Sequence, residues 1–279
     1  MVIVPGEILF DQFKDSRKLG GAPFNFAFHL KKLGIPVRFF SRVGADDAGR
    51  EILSFLSRHD FDTGDIQIDP AHPTGRVVVE QKGTSHSFTI VKDCAWEFLE
   101  PTGSLLSALD SFPELIYLGA MLWHSARGMN TVQALLDRKP GMTPVFCDIN
   151  LRPGYHNRRG VNQILSFTDI LKFSLDEFCW IDPRAREAGP DHHDALFSII
   201  DDLRMDRDVR MVLLTLGSEG SLLSSLGGPE ESPARPGVQV RDTVGAGDAH
   251  AAAFTAAWLK GFSARACLDL AARFSGAVC

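Results

Sequence analysis

Residues 242–249, DTVGAGDA, are the most informative stretch of this sequence. Gly245 and Gly247 allow the backbone to turn so that consecutive N–H groups point into one hollow, and an alanine-rich helical pattern follows. Such a hollow at a helix N-terminus favours a phosphate or a developing oxyanion. Asp248 lies on the first turn of this predicted helix, where its carboxylate could cap the helix or serve as a general base.

Composition and charge limit the class of protein. The chain has 279 residues, 44% hydrophobic and 23% charged, which is long enough for one large α/β domain or two ordinary ones. A net charge of −6 argues against a broad nucleic-acid surface, and five cysteines without a CxxC pair are typical of reduced thiols. The sequence shows no signal peptide and no apolar run long enough to span a bilayer. We therefore expect a cytoplasmic protein without nucleic-acid or membrane partners.

Short apolar runs alternate with segments of helical period along most of the chain. This alternation predicts an α/β fold, a three-layer α/β/α sandwich around a central, mainly parallel sheet. The predicted strands are 2–4, 37–40, 115–118, 144–148, 170–173 and 211–214. The clearest predicted helices are 23–33, 48–58, 246–260 and the segment from 264 onward. No convincing linker appears, so we expect a single domain over residues 1–279.

Two extended segments interrupt the alternation of strands and helices. Residues 75–91 alternate with period two around Lys82–Gly83, as a β-hairpin does, and residues 9–19 lie where a helix would be expected. The two segments could pair into a small sheet that covers the active site as a lid. Alternatively, the hairpin could extend the main sheet at its edge.

Several polar or glycine-rich stretches lie where predicted strands end or helices begin. In open α/β sheets, ligands bind at the carboxyl ends of the strands. The stretches of interest are LGGAPFN at 19–25, CDINLR at 147–152, LKFSLDEF at 171–178 and LTLGSEGSLL at 214–223. Read alone, the last is a turn between antiparallel strands. The chain has no GxxxxGK[ST] motif, which excludes a P-loop, and DHHD at 191–194 is typical of a solvated helix start rather than of a metal site.

Taken in order, these segments resemble the ribokinase-like (PfkB-type) carbohydrate kinases. The resemblance covers nearly the whole chain, and DTVGAGDA is its most specific part. The other matching segments are GEILFD, LGGAPFNFAFHLKKLG, SRVGADDAGRE, PTG with its hairpin, DINLRP and LTLGSEG. It implies a ribokinase-like fold with a small β-sheet lid and an ATP-dependent sugar kinase activity. Within the family, the chain looks most like fructokinases and 2-keto-3-deoxygluconate kinases.

The resemblance assigns roles to individual residues. Asp248 would accept the proton of the substrate hydroxyl, and Gly245, Ala246 and Gly247 would form the anion hole for the γ-phosphate. The residues implied in sugar binding are Asp11, Gly20, Gly21, Asn25 and Arg152. The residues implied at the nucleotide are Thr215, Gly217, Gly220 and Asp242. Glu177 would organise magnesium, the second cofactor beside ATP.

This sequence departs from the family pattern at three places. Ser174 stands where the family has the Asn of Asn-x-x-Glu, so we expect weaker organisation of magnesium through water. His250 replaces the usual aromatic residue two positions after Asp248. Family members usually continue beyond the final RFSGAVC through a segment that contributes to the adenine pocket and to a monovalent-cation site. Asp242 and the backbone at Val244 match the first ligands of that site, so potassium remains only a secondary expectation.

Two alternative functions stay open at this point. A nucleoside kinase of the same family would use the same base and anion hole. A non-catalytic sugar-binding regulatory relative is suggested by Ser174 and His250, and it would bind sugar without forming ADP. The expected acceptor is fructose or a related keto-sugar, and the expected assembly is a homodimer formed through the lid.

Overall fold

The computed structural model describes residues 1–82, 85–152, 154–233 and 245–278, with all side chains in these ranges except those of 80–82, 85–87 and 124. The strands in these ranges are β1 Val2–Pro5, β2 Leu9–Gln12, β3 Arg17–Gly20, β4 Val37–Gly44, β5 Ile66–Asp69, β6 Gly75–Lys82, β7 Ser85–Ile90, β8 Leu115–Gly119, β9 Val145–Asp148, β10 Ile170–Ser174, β11 Met211–Thr215, β12 Gly220–Ser225 and β13 Glu230–Pro233. The helices are α1 Ala22–Lys32, α2 Asp47–Arg58, α3 Gly103–Leu109, α4 Ala126–Arg138, α5 Arg158–Leu165, α6 Leu175–Ile181, α7 Arg184–Ala188, α8 His193–Asp206, α9 Ala246–Leu259 and α10 Ala264–Val278.

The main sheet is mostly parallel and has helices on both faces. Its described strands follow the order β13-β12-β11-β10-β9-β8-β1-β4-β5, and only the pairings of β12 with β11 and with β13 are antiparallel. Along β1, Val2 and Val4 pack into one core cluster with Phe26 of α1, whereas Ile3 packs into a second cluster with Leu135 of α4. Successive side chains of a strand face opposite sides, so one buried strand supplies both cores. This confirms the predicted three-layer α/β/α sandwich.

Paired polar residues explain why the predicted strand 37–40 is shorter than the observed strand β4. β4 continues to Gly44 rather than ending at Phe40, because its polar side chains are paired inside the fold. The Ser41 hydroxyl donates to the Gly6 carbonyl at 2.6 Å, and Arg42 lies 2.9 Å from the Asp69 carboxylate. Partners of this kind are invisible in a pattern of apolar residues.

The two extended segments pair with each other in a separate small sheet. Its described strands follow the order β3-β2-β6-β7, with β2 parallel to β6 and antiparallel to β3. The prediction of a small second sheet is therefore confirmed, and the alternative of a hairpin extending the main sheet is wrong. The turn predicted at Lys82–Gly83 lies partly outside the described residues.

The hairpin of β6 and β7 is anchored where it leaves the main body. The Thr74 hydroxyl donates to Asp46 Oδ1 at 2.6 Å and accepts from the Gly44 amide at 3.0 Å. Asp46 is also the N-cap of α2 and accepts from the Gly49 amide at 2.8 Å. The Ala95 amide donates to the Pro73 carbonyl at 2.8 Å, which closes the base of the hairpin. The small sheet thus has a fixed point of attachment.

In the part of the chain that is described, no helix has both the length and the apolar character that crossing a bilayer requires.

Replacing Thr74 by Val should lower the free energy of unfolding by about 1–3 kcal/mol, because the Gly44 amide and the Asp46 carboxylate lose a buried partner. Urea unfolding at neutral pH measures this change. Thr89→Val, at an exposed position of β7, is the matched control and should stay within about 0.5 kcal/mol of the parent. Equal stability of both variants would show that the anchor contributes nothing.

Candidate active site

The start of α1 is shaped by a backbone that only glycine adopts easily. Gly21 is the N-cap of α1 with φ 111°, and a Cβ at this position would lie 2.6 Å from the Glu7 carbonyl oxygen. Gly21 therefore lets the chain pass closely over the end of β1 before the helix begins. The turn that follows brings Asn25 to the sheet edge, with the Asn25 amide donating to the Gly21 carbonyl at 2.8 Å.

The start of α9 is also made by a glycine in the left-handed region. Gly245 is its N-cap with φ 81°, and Ala246, Gly247 and Asp248 form the first turn. The helix is buried almost all round, since its small side chains allow close packing against α1 and α10. The first turn of α9 thus lies at the carboxyl edge of the sheet with its N-terminal dipole end directed there.

One hydrogen bond joins these two helix starts. Asn25 Nδ2 donates to Asp248 Oδ2 at 2.8 Å. This bond runs to a different helix, so Asp248 has a role beyond capping α9. Gly245 approaches the same point, because a Cβ built on it would lie 3.8 Å from Asn25 Nδ2. The structure therefore brings the predicted base, one predicted sugar-binding residue and the predicted anion hole together.

Burial strongly affects the protonation of Asp248. It raises the pKa of the Asp248 carboxyl to about 7, against the opposing hydrogen bond from Asn25. Asp148 raises this pKa further, while Lys172 and Arg152 lower it. A carboxyl with a pKa near neutrality can accept a proton from a hydroxyl and release it again, which suits a general base.

A buried ion pair lies behind the first turn of α9. Lys172 Nζ donates to Asp148 Oδ2 at 2.8 Å, and both side chains are almost fully buried. Burial alone would lower the pKa of Lys172, but the Asp148 carboxylate raises it, so the pair is ionic. A Cβ on Gly247 would lie 3.5 Å from Lys172 Nζ, which places this ammonium directly against the predicted anion hole.

Glu177 is held by several protein donors. Its Oε1 accepts from the Leu151 amide at 2.6 Å, and its Oε2 accepts from the Ser174 amide at 2.7 Å and the Ser174 hydroxyl at 2.9 Å. Few lone pairs remain for direct metal coordination, so the geometry fits magnesium held through water. Among the described residues, no three His, Cys, Asp or Glu side chains form a metal site by themselves. Within 191–194, His193 pairs with Glu231 of β13 at 3.1 Å.

The other residues predicted to bind sugar lie on β2, on β3 and just beyond β9. Asp11 lies on β2 opposite Lys18 of β3, and a Cβ on Gly20 would lie 2.5 Å from Asp11 Oδ2, so the Asp11 carboxylate occupies the space that a side chain would need. Arg152 is exposed just beyond β9 and acts electrostatically on Asp248. Within the described ranges, Arg152 makes no ion pair; it donates only to the Leu151 carbonyl, at 3.4 Å.

The predicted nucleotide residues form the turn between β11 and β12. Thr215 ends β11 beside Ser174 of β10, and Gly217 and Gly220 follow in the turn with positive φ angles. The strands on either side are antiparallel, as the sequence pattern indicated. Asp242 lies outside the described residues.

Two buried ionisable residues near the base were missed by sequence reasoning. Lys172 lies in an otherwise apolar strand. Burying an unpaired ammonium group is unfavourable, so a lysine in such a strand was a signal in the sequence that an acid pairs with it. Glu7 follows β1 directly and is 2% exposed. It acts electrostatically on Asp248. His250 is buried, and neither of its ring nitrogens has a partner within the described residues.

Comparisons with known proteins show what the whole chain is similar to. The family model described as "pfkB family carbohydrate kinase" matches residues 3–279. A fructokinase of Rhizobium leguminosarum bv. trifolii is 28% identical over 89% of this chain and 76% of its own length. A 2-dehydro-3-deoxygluconokinase of Thermoproteus tenax is 26% identical over 99% of this chain and 83% of its own length. A sugar kinase of Pyrococcus horikoshii, solved in complex with ATP, has the same fold, with a TM-score of 0.80 at 23% identity over 99% of this chain and 91% of that one.

Replacing Lys172 by Met should lower the free energy of unfolding by about 3–5 kcal/mol, because the Asp148 charge is left buried and unpaired. Adding Asp148→Asn should restore part of this loss, so the two changes should be non-additive by about 1–3 kcal/mol. A double-mutant cycle in urea measures the coupling. Lys14→Met, at an exposed position, is the control and should be close to neutral. Additive effects would show that the pair is not ionic.

Proposed function

The chain belongs to the pfkB family of carbohydrate kinases, and from this membership we propose that it transfers the γ-phosphate of ATP to a primary hydroxyl of a small keto-sugar such as fructose. One observation carries the proposal: the half-buried carboxyl of Asp248, with a pKa of about 7, lies on the first turn of a helix and accepts a hydrogen bond from Asn25. The first turn supplies free amides for an anion beside this base. Both features suit phosphoryl transfer, in which positioning and charge stabilisation provide most of the rate enhancement.

The transfer would use Asp248 in its ionised form. Asp248 takes the proton of the sugar hydroxyl while that oxygen forms a bond to the γ-phosphorus. The bond from this phosphorus to the bridging oxygen breaks, and ADP leaves with the electron pair. The amides at Gly245, Ala246 and Gly247 and the ammonium of Lys172 are placed to stabilise the negative charge of the phosphoryl group.

The other site residues would bind the two substrates. Asp11, Gly20, Gly21 and Asn25 hold sugar hydroxyls beneath the small sheet, whose closure excludes water from the reacting atoms. The turn of Thr215, Gly217 and Gly220 lines the nucleotide. Asp242, the other residue implied there, lies outside the described residues. Glu177 would hold magnesium through water, and the ion would neutralise charge on the phosphates.

A second acceptor is favoured by Arg152. Its guanidinium acts electrostatically on the base and makes no ion pair among the described residues, which suits an anionic group on the substrate. A keto-deoxy sugar acid has such a carboxylate, and the relative from Thermoproteus tenax is named for a substrate of this kind. The proposal therefore covers neutral and acidic keto-sugars of similar size.

An acceptor screen with coupled detection of ADP tests the function. Fructose, 2-dehydro-3-deoxygluconate, ribose and nucleosides are offered with ATP and magnesium, and we expect turnover with one of the first two. Asp248→Asn should reduce kcat by about 100-fold to 10,000-fold, while sugar affinity measured by calorimetry changes little. Asp194→Asn, at an exposed site of α8, serves as the control. ADP formation only with nucleosides, or sugar binding without any ADP, would overturn the proposal.

The pH dependence of kcat/KM reports the ionisation of Asp248. Below a pH of about 7 the base is protonated, so kcat/KM should fall tenfold per pH unit on the acid side. Asn25→Ala removes a donor that stabilises the carboxylate, so this limb should move up by about one pH unit or more. Asn130→Ala, exposed on α4, should leave the limb in place. If the acid limb of the kcat/KM profile does not move in Asn25→Ala, this limb reports the ionisation of a group other than Asp248.

A further inference from the structure

Glu7 is a buried acid at the centre of the site that the proposed chemistry does not yet use. It follows β1 and is 2% exposed. The amides of Glu7 itself and of Ala22, the first residue of α1, hydrogen-bond to its carboxyl. Within the described residues, Oε2 of this carboxyl is buried without a partner. The carboxyl thus contacts the start of α1, while its Oε2 is left unmatched within the described residues.

The surroundings of Glu7 come from three further elements. Asp248 on the first turn of α9 and Arg152 after β9 both act electrostatically on its carboxyl. Tyr117 of β8 is fully buried, and burial raises the pKa of its hydroxyl, as do Asp148, Asp248 and Glu7. The Tyr117 hydroxyl also lacks a partner among the described residues. Glu7 therefore lies where the starts of α1 and α9 meet.

A charge on Glu7 is strongly disfavoured at this position. Burial raises the pKa of its carboxyl to about 8; the two amides and Arg152 oppose this shift, and the negative charge of Asp248 adds to it. At neutral pH the carboxyl is therefore protonated. Oε2 is buried without a partner among the described residues, so we place the proton on this oxygen.

We propose that Glu7 is a positioning residue for Asp248, which supports turnover only while its own carboxyl carries a proton. Neutral Glu7 holds the start of α1, and with it Asn25, against Asp248 without adding charge. Ionised Glu7 places a second negative charge beside the base, where the incoming γ-phosphate is also negative. This inference rests on the proposed role of Asp248 as the base.

The two acids then define a window of activity. Turnover needs Asp248 ionised, which occurs above a pH of about 7, and Glu7 protonated, which holds below about 8. Because the two groups interact, the limbs belong to the pair and are read as apparent values. The expected profile of kcat/KM is a narrow bell, whereas Asp248 alone would give a plateau at high pH.

Glu7→Gln tests this directly, because the amide keeps the shape of the protonated acid and cannot ionise. We expect its alkaline limb to move up by at least one pH unit while the acid limb remains. Glu187→Gln, exposed on α7, should keep both limbs. An alkaline limb that is unchanged in Glu7→Gln would overturn the proposal. If that variant does not fold, Glu7→Asp retains an ionisable acid and should retain an alkaline limb, and its loss would also overturn the proposal.

A measurement without turnover separates this inference from the proposed function. Below the ordinary pKa of 4.5, Glu7 is protonated in both the folded and the unfolded chain, so the contribution of Glu7 to stability is largest there. Between that value and about 8 only the unfolded chain releases the proton, and stability falls as the pH rises. Measured in an Asp248→Asn background, the fall of the unfolding temperature from pH 5 to 8 should be shallower with Glu7→Gln. If the unfolding temperature falls with pH equally steeply with and without Glu7→Gln, Glu7 is not a buried neutral acid, whatever the acceptor screen finds.

Discussion

The hydrogen bond between Asn25 and Asp248 is the contact on which the rest of the site depends. It joins residues 223 positions apart, and neither helix could provide it alone. It forms where the starts of α1 and α9 meet near the end of β1. The glycines at 21 and 245 then allow each helix to begin close to that point. The bond also fixes the orientation of the carboxylate towards the hollow of amides beside it.

The site is built around three neighbouring acids, of which Glu7 and Asp148 are buried and Asp248 is half-buried. Asp248, Asp148 and Glu7 lie near one another, with Lys172 as the buried cation and Arg152 at the exposed side. Burying an unpaired charge is costly, so each acid needs a different solution. Asp148 is paired with Lys172, Glu7 retains its proton, and Asp248 is left between the two states. Asp248 is therefore the one of these three acids that is partly protonated near neutral pH.

The parts of the molecule governed by local patterns could be predicted from the sequence. The alternation of apolar strands with helical segments indicated the layered sheet, the glycines before α1 and α9 indicated where these helices begin, and the period of 75–91 indicated the hairpin. The parts that depend on distant partners could not be predicted this way. Lys172 and Glu7 acquire their roles only from Asp148 and Asp248, which come from other strands and helices. The extension of β4 through Ser41 was missed for the same reason.

The two arms of the small sheet are attached in ways that should make them evolve differently. β2 and β3 lie between Glu7 and Gly21, so any insertion there shifts the start of α1 and disturbs Asn25. The hairpin of β6 and β7 is attached at its base by the hydrogen bonds of Thr74 and Ala95, and neither residue contacts Asp248 among the hydrogen bonds described. Its length and side chains can change without moving the start of α1. The hairpin is therefore the natural place for new substrate preferences to arise, and the starting point for laboratory selection of altered acceptors.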